Sequence, residues 1–92
     1  NDKMKAIVTV VGNDTVGIIA AVSTHLAEAK VNILDISQTI MGDTFTMIMM
    51  VDLEGSLKTF DELNSGLKAV GDNLGVNIII QNQKLFKAMH RI

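Results

Sequence analysis

Cysteine, proline, tryptophan and tyrosine are all absent from these 92 residues. Without cysteine there is no disulfide, no thiol nucleophile and no thiolate metal site, a pattern that fits a cytoplasmic protein. Phe45, Phe60 and Phe86 are the only aromatics, too few for the stacking platforms that hold single strands or RNA loops. Like charges never gather into a block, and the formal net charge is −2, so the basic footprint of a nucleic-acid binder is missing. No apolar run approaches the roughly 18–20 residues of a membrane span, and no secretory signal is visible.

What is present in excess is apolar surface. Hydrophobic residues make up 48% of the chain, and mean hydropathy is +0.34. A chain of this length forms one domain, expected over residues 4–92. Asn1, Asp2 and Lys3 precede Met4, can be added sequence, and are set aside. So small a domain buries only about 60–65% of the surface its unfolded chain exposes. One small core can hardly hide so much apolar area, so self-association is expected.

The periodicity alternates between strand and helix. Residues 5–11 form a short β-branched run that reads as a buried strand ending at Gly12. After a turn at 12–15, residues 16–30 place Ile18 or Ile19, Val22, Leu26 and Ala29 on one helical face, with Asp14 or Thr15 as the cap. Residues 31–41 return to strand spacing, with Leu34, Ile36 and Ile40 on one side and Asp35, Ser37 and Thr39 on the other. Gly42, Asp43 and Thr44 make a hairpin turn leading into a strand at 45–53. Ser56 is a candidate cap for a helix over 57–73, built on Leu57, Phe60, Leu63, Leu67, Val70 and Leu74 and stopped by Gly75. A fourth strand covers 76–81. Residues 83–92, with Leu85, Phe86, Met89 and Ile92, read as a short amphipathic helix.

The order βαββαβ, with two right-handed crossovers, predicts an α+β ferredoxin-like sandwich. Its four-stranded antiparallel sheet has the order 4-1-3-2, with both helices on one face. The apolar excess then has an address. Ala6, Val8 and Val10 face the helices, which leaves Ile7 and Val11 facing away; Ile48, Met50 and Ile79 join them. A face this apolar is expected to be covered by a second copy, by the 83–92 segment, or by a partner protein. Met41, Met47, Met49 and Met50 at strand spacing read as adaptable core filler rather than a soft-metal box.

The chemically suggestive segment is Gly12-Asn13-Asp14-Thr15-Val16-Gly17-Ile18, between a buried strand and a helix N-terminus. Backbone N–H groups there lack intrahelical partners, the dipole end is positive, and a carboxylate can dock. Gly17 in the first turn costs up to ~1 kcal/mol relative to Ala, so close approach of a ligand or backbone would account for it. Asp14 offers acceptors for an amino group. Asn32 starts what should be an edge strand and can both donate and accept. The plainer alternative stays open: Asp14 as a cap, Gly17 as a packing contact, Asn32 as a turn residue.

At this turn the sequence resembles the ACT domain family. Val-Val-Gly-Asn-Asp-Thr-Val-Gly-Ile-Ile (10–19) and Val-Asn-Ile-Leu-Asp-Ile-Ser-Gln (31–38) are similar to that family's two recurring segments. From Met4 to Ile92 the chain looks like its small stand-alone bacterial members, and more distantly like the glycine-cleavage repressor type. The resemblance implies a non-catalytic regulatory domain that binds an amino acid or similar metabolite at a homo-oligomer interface. It places the ligand at residues 12–18 and Asn32. Many members carry proline immediately before the glycine, where this chain has Val16, which leaves the loop looser. No output module is expected alongside the domain, so a signal would pass through an enzyme partner or a change of assembly. The competing reading is a protein–protein module that docks an enzyme by its apolar sheet face or C-terminal segment.

Catalysis finds little support. His25 and His90 lack metal-ligand spacing and read as solvent-facing, although an intersubunit site combining them stays open. Glu54, Asp61 and Glu62 read as favourable charges near a helix start. Acylphosphatases share the topology, but the loop has no arginine to hold a phosphate; the sole arginine is Arg91. No cofactor is expected.

Overall fold

A computed structural model describes residues 5–13 and 17–82. β1 (Lys5–Gly12) leads to α1 (Ile18–Glu28), then β2 (Asn32–Met41), β3 (Thr44–Asp52), α2 (Phe60–Leu74) and β4 (Asn77–Asn82). The strands form one antiparallel sheet in the order β2-β3-β1-β4, which is the expected ferredoxin-like arrangement. The expected helix at 83–92 lies outside the described residues.

The helix side of the sheet carries the core. Ala6, Val8 and Val10 meet Phe45, Met47, Met49 and Val51 of β3 and Ile78 and Ile80 of β4. Ile18, Val22 and Leu26 of α1 and Leu63 and Leu67 of α2 close over them. Each strand contributes alternate residues because side chains on a pleated strand point to opposite faces in turn. Of the four methionines, only Met47 and Met49 fill the core; Met41 is exposed and Met50 half-buried on the opposite face.

Element ends differ from expectation for local reasons. α2 starts at Phe60 and is capped by Thr59 rather than Ser56. Thr59 Oγ1 accepts from the Glu62 N–H at 3.2 Å, and Glu62 Oε1 accepts from the Thr59 N–H at 2.8 Å. This capping box needs an acid or amide three residues after the cap, which Thr59 has and Ser56 does not. Ser56 instead closes a tight turn, its hydroxyl donating to the Lys58 carbonyl at 2.7 Å and accepting the Lys58 N–H at 3.1 Å. Leu57 therefore precedes the helix and is exposed.

α1 ends in a Schellman pattern: Lys30 adopts φ 62°, its N–H donates to Ala27 O at 3.0 Å, and the Val31 N–H donates to Leu26 O at 2.9 Å. In β2 a bulge at Leu34 shifts the register between Ile33 and Asp35. It places Ile33, Ile36, Gln38 and Ile40 on the helix side, opposite Val51, Met49, Met47 and Phe45. The expected grouping of Leu34 with Ile36 and Ile40 gives way because one extra residue breaks the two-residue period.

β2 overhangs the helix layer. Ile40 and Met41 are 66% and 75% exposed, although Ile40 stands on the same side as buried Phe45. Two helices are narrower than four strands, and here they cover β1, β3 and β4 while the outer half of β2 projects beyond them.

Candidate functional site

Gly12 ends β1 beside Phe45 of β3, and Phe45 in turn stands beside Ile40 of β2. The chain then crosses to α1 through exposed Asn13. Asp14, Thr15 and Val16 lie outside the described residues. Gly17 is the N-cap of α1, with φ 77° and no side-chain cap hydrogen bond. The expected cap from Asp14 or Thr15 is thus replaced by a glycine in the left-handed region, where an L side chain is strained. A Cβ built on Gly17 would meet nothing within 4 Å. Its backbone angle accounts for the glycine, and close packing among the described residues does not.

This helix start is electrostatically open. α1 has no acidic residue in its first turn, whereas α2 carries Asp61 and Glu62 beside its Thr59 cap. The N-terminal N–H groups of α1 therefore keep their positive character unbalanced by a first-turn acid. Ile18 is buried and anchors the turn to the core.

Asn32 does not join this loop within one chain. It pairs with Asp52, which pairs with Lys5 at the far end of β1. The seven-residue step from Lys5 to Gly12 separates the two places by roughly 23 Å of strand. Asn32 is exposed at the start of the edge strand. An open depression of about 560 Å³ lies at that same far end, lined by Leu53, Glu54, Ser56, Lys58, Thr59, Phe60 and Asn82. The Ser56 and Thr59 hydroxyls within it are engaged in the turn and cap described above.

A family model described as the ACT domain matches residues 5–81. The chain belongs to the ACT domain family. A UPF0237 protein of Clostridium acetobutylicum is 56% identical to this ACT domain over 89 residues, covering 97% of this chain and 100% of that one. Among solved structures, an ACT domain protein from Streptococcus pneumoniae superposes with a TM-score of 0.80 at 44% identity, covering 91% of this chain and 94% of that one. A putative glycine cleavage system transcriptional repressor matches at TM-score 0.72 and 25% identity, over 84% of this chain and 44% of that one. ACT domains are typically regulatory and ligand-binding.

His25 departs from the solvent-facing reading. In this ACT domain its ring lies against Gly66 of α2, where a built Cβ would run into Cε1 and Nε2. Gly66 is thus what admits an imidazole between the helices. Among the described residues, Nε2 is buried without a hydrogen-bond partner. Burial lowers the His25 pKa from its ordinary 6.5, and nearby Lys58 lowers it further, while Glu28 raises it. Among the described residues no three His, Asp or Glu side chains cluster as metal ligands. His90 lies outside the described residues.

The depressed pKa sets a sign. The unfolded chain binds a proton near pH 6.5, the folded chain only below that, so folding stability falls as pH drops below about 6.5 and levels off beneath the folded pKa. Urea midpoints at pH 7.5 and pH 5 should differ more in the native chain than in His25→Gln. An equal difference in both would remove His25 from the pH response.

Proposed function

We propose that this ACT domain senses an amino acid or similar zwitterion between two copies of the chain paired along β2. One observation carries the reading. Among the described residues, Gly12, Asn13, Gly17 and Ile18 lie at the opposite end of one sheet from Asn32, and the edge strand β2 between them pairs with β3 on one side and exposes Ile40 and Met41 at its far end. A second β2 laid antiparallel alongside the first would begin where the first one ends. Asn32 of the partner subunit would then arrive beside Ile40 and Met41, at the end of the sheet where Gly12 opens into the loop. The same pairing would satisfy the edge hydrogen-bonding groups and cover the overhang.

The chemistry on the two sides is complementary. Residues 12–18 offer α1's open N–H groups to a carboxylate and Asp14 to an ammonium group. Asn32 of the partner subunit offers a donor and an acceptor. The domain works without catalysis, in the cytoplasm, and passes its signal through assembly or through an enzyme partner. No described helix is long and apolar enough to cross a membrane.

A thermal-shift screen over the amino acids and common metabolites tests the ligand. A ligand at about a hundred times its Kd adds about 2.7 kcal/mol, a shift on the order of 10 °C for a domain of this size. Asp14→Ala and Asn32→Ala should each remove the shift. Mixing the two variants tests the shared site. A mixed dimer keeps one complete site, so exchange should recover binding at roughly a quarter of sites. Variants that bind normally, or that never complement one another, would defeat the shared-site reading.

A further inference from the structure

The seam between α1 and α2 is tied at one end by a backbone bond. The Leu57 N–H, in the turn before α2, donates to Ala29 O at 2.8 Å, and Ala29 is the C-cap of α1. One turn back along α1, the His25 ring fills the slot that Gly66 leaves open. Val22 and Leu26 on α1 and Leu63 and Leu67 on α2, each within a turn of this contact, are fully buried. A polar ring thus sits at the rim of an apolar helix contact. The residue is half-buried, yet its Nε2 is closed off from water and, among the described residues, from any partner.

We propose that His25 is a proton-operated latch: the neutral ring closes the α1–α2 seam over Gly66, and the protonated ring swings out to water and loosens it. A neutral imidazole with its proton on Nδ1 leaves only an unshared acceptor at Nε2. Protonation makes both ring nitrogens donors. Nε2 would then be a charged donor with no acceptor, which costs more than a neutral group left unpaired. The charges around the ring offer no rescue. Lys58, from the turn before α2, acts against a cation there more strongly than Glu28, one turn along α1, acts for it. Glu62, one turn before Gly66 on α2, already accepts the Thr59 N–H at 2.8 Å. On the sheet side, β2 turns Ile33, Ile36, Gln38 and Ile40 toward the helices, and none of them is charged. The core residues of β1, β3 and β4 are all apolar.

Because the residue is only half-buried, a change of rotamer takes the ring to water without unfolding α1. It leaves a gap over a glycine, which has no Cβ to fill it, so the helices lose contact there. The Leu57–Ala29 bond keeps the far end tied, and the loosening runs toward the start of α1, where Gly17 supplies no side-chain cap bond. That start carries the 12–18 loop. A weaker hold on ligand at acid pH is a consequence that rests on the ligand reading; the latch itself does not.

An NMR titration of the ligand-free full chain between pH 7.5 and pH 5 tests it. The chain has two histidines, so His90→Gln assigns the His25 ring signals. One Gly66 Hα points where the built Cβ meets the ring and carries its ring-current shift. The His25 ring and the Gly66 Hα should move together, with one midpoint below 6.5, and the Hα should lose that shift at acid pH. Amide exchange in α1, corrected for its intrinsic pH dependence, should rise several-fold over the same range. In His25→Leu, which has no proton to gain, it should stay level. A ring that titrates while the Gly66 Hα stays in place is protonated inside the slot, and that result overturns the latch. An equal rise in exchange in both chains does the same. Gly66→Ala gives a second readout: with the ring pushed out at every pH, its midpoint should return toward 6.5. A midpoint as low as that of the native chain would mean that the slot over Gly66 does not hold the ring.

Discussion

Phe45→Ala should cost about 3–5 kcal/mol of folding stability, a large share of the roughly 5–15 kcal/mol available to a domain. Phe45 is 2% exposed. It starts the buried row of β3, opposite Gly12 on one side and Ile40 on the other. Its ring therefore supports the floor from which the 12–18 loop departs. Truncation removes the transfer energy of the ring and leaves a cavity at an end of the sheet that α1 must still cover. Urea unfolding at pH 7.5 measures the loss. A cost under about 1 kcal/mol would mean that this end of the core collapses freely and does not hold the loop. Any ligand found by thermal shift should also weaken in this variant, because the floor of its loop is gone.

Gly71→Ala should destabilise the domain by about 2 kcal/mol, against the helix-propensity rule. Within an isolated helix the change is favourable by about 1 kcal/mol. Here a built Cβ lies 2.7 Å from the Val76 carbonyl oxygen and 3.3 Å from Ile78 Cγ1. The first of these is backbone, in the turn that starts β4, and it cannot rotate away. The Val76 N–H also donates to Gly71 O at 2.9 Å, so pushing β4 outward strains that bond as well. Overpacking of this kind costs about 1–3 kcal/mol. Gly66→Ala is the natural comparison. Its clash is with the His25 ring, a side chain that can turn, so its cost should be the smaller of the two. If Gly71→Ala proves stabilising, α2 does not approach β4 as closely as described.

Both variants act through tertiary contacts that the sequence announced only in part. The alternation of Ala6, Val8 and Val10 with Ile7 and Val11 specified the two faces of β1. The spacing of Ile18, Val22 and Leu26 specified the inner face of α1. The order of these periods specified the sandwich and its strand order, because handedness and short connections leave few ways to join them. The Thr59–Glu62 capping box was also written in the sequence and is legible to anyone who looks for an acid three residues after each candidate cap. The family signal at 10–19 and 31–38 pointed to the same fold.

Other features were out of reach of any local pattern. The bulge at Leu34 depends on what β3 offers across the pair. Gly66 and Gly71 look alike on α2, yet one admits a histidine ring and the other a backbone carbonyl, because different elements lie opposite them. The separation of Asn32 from the 12–18 loop follows from antiparallel pairing through Asp52 and Lys5, and spacing along the chain contains no trace of it. Local periodicity is a property of one segment and its solvent, so the sequence alone determined which faces would be apolar. Which face meets which, and which residues end up at opposite ends of the sheet, is decided only when distant segments share one sheet.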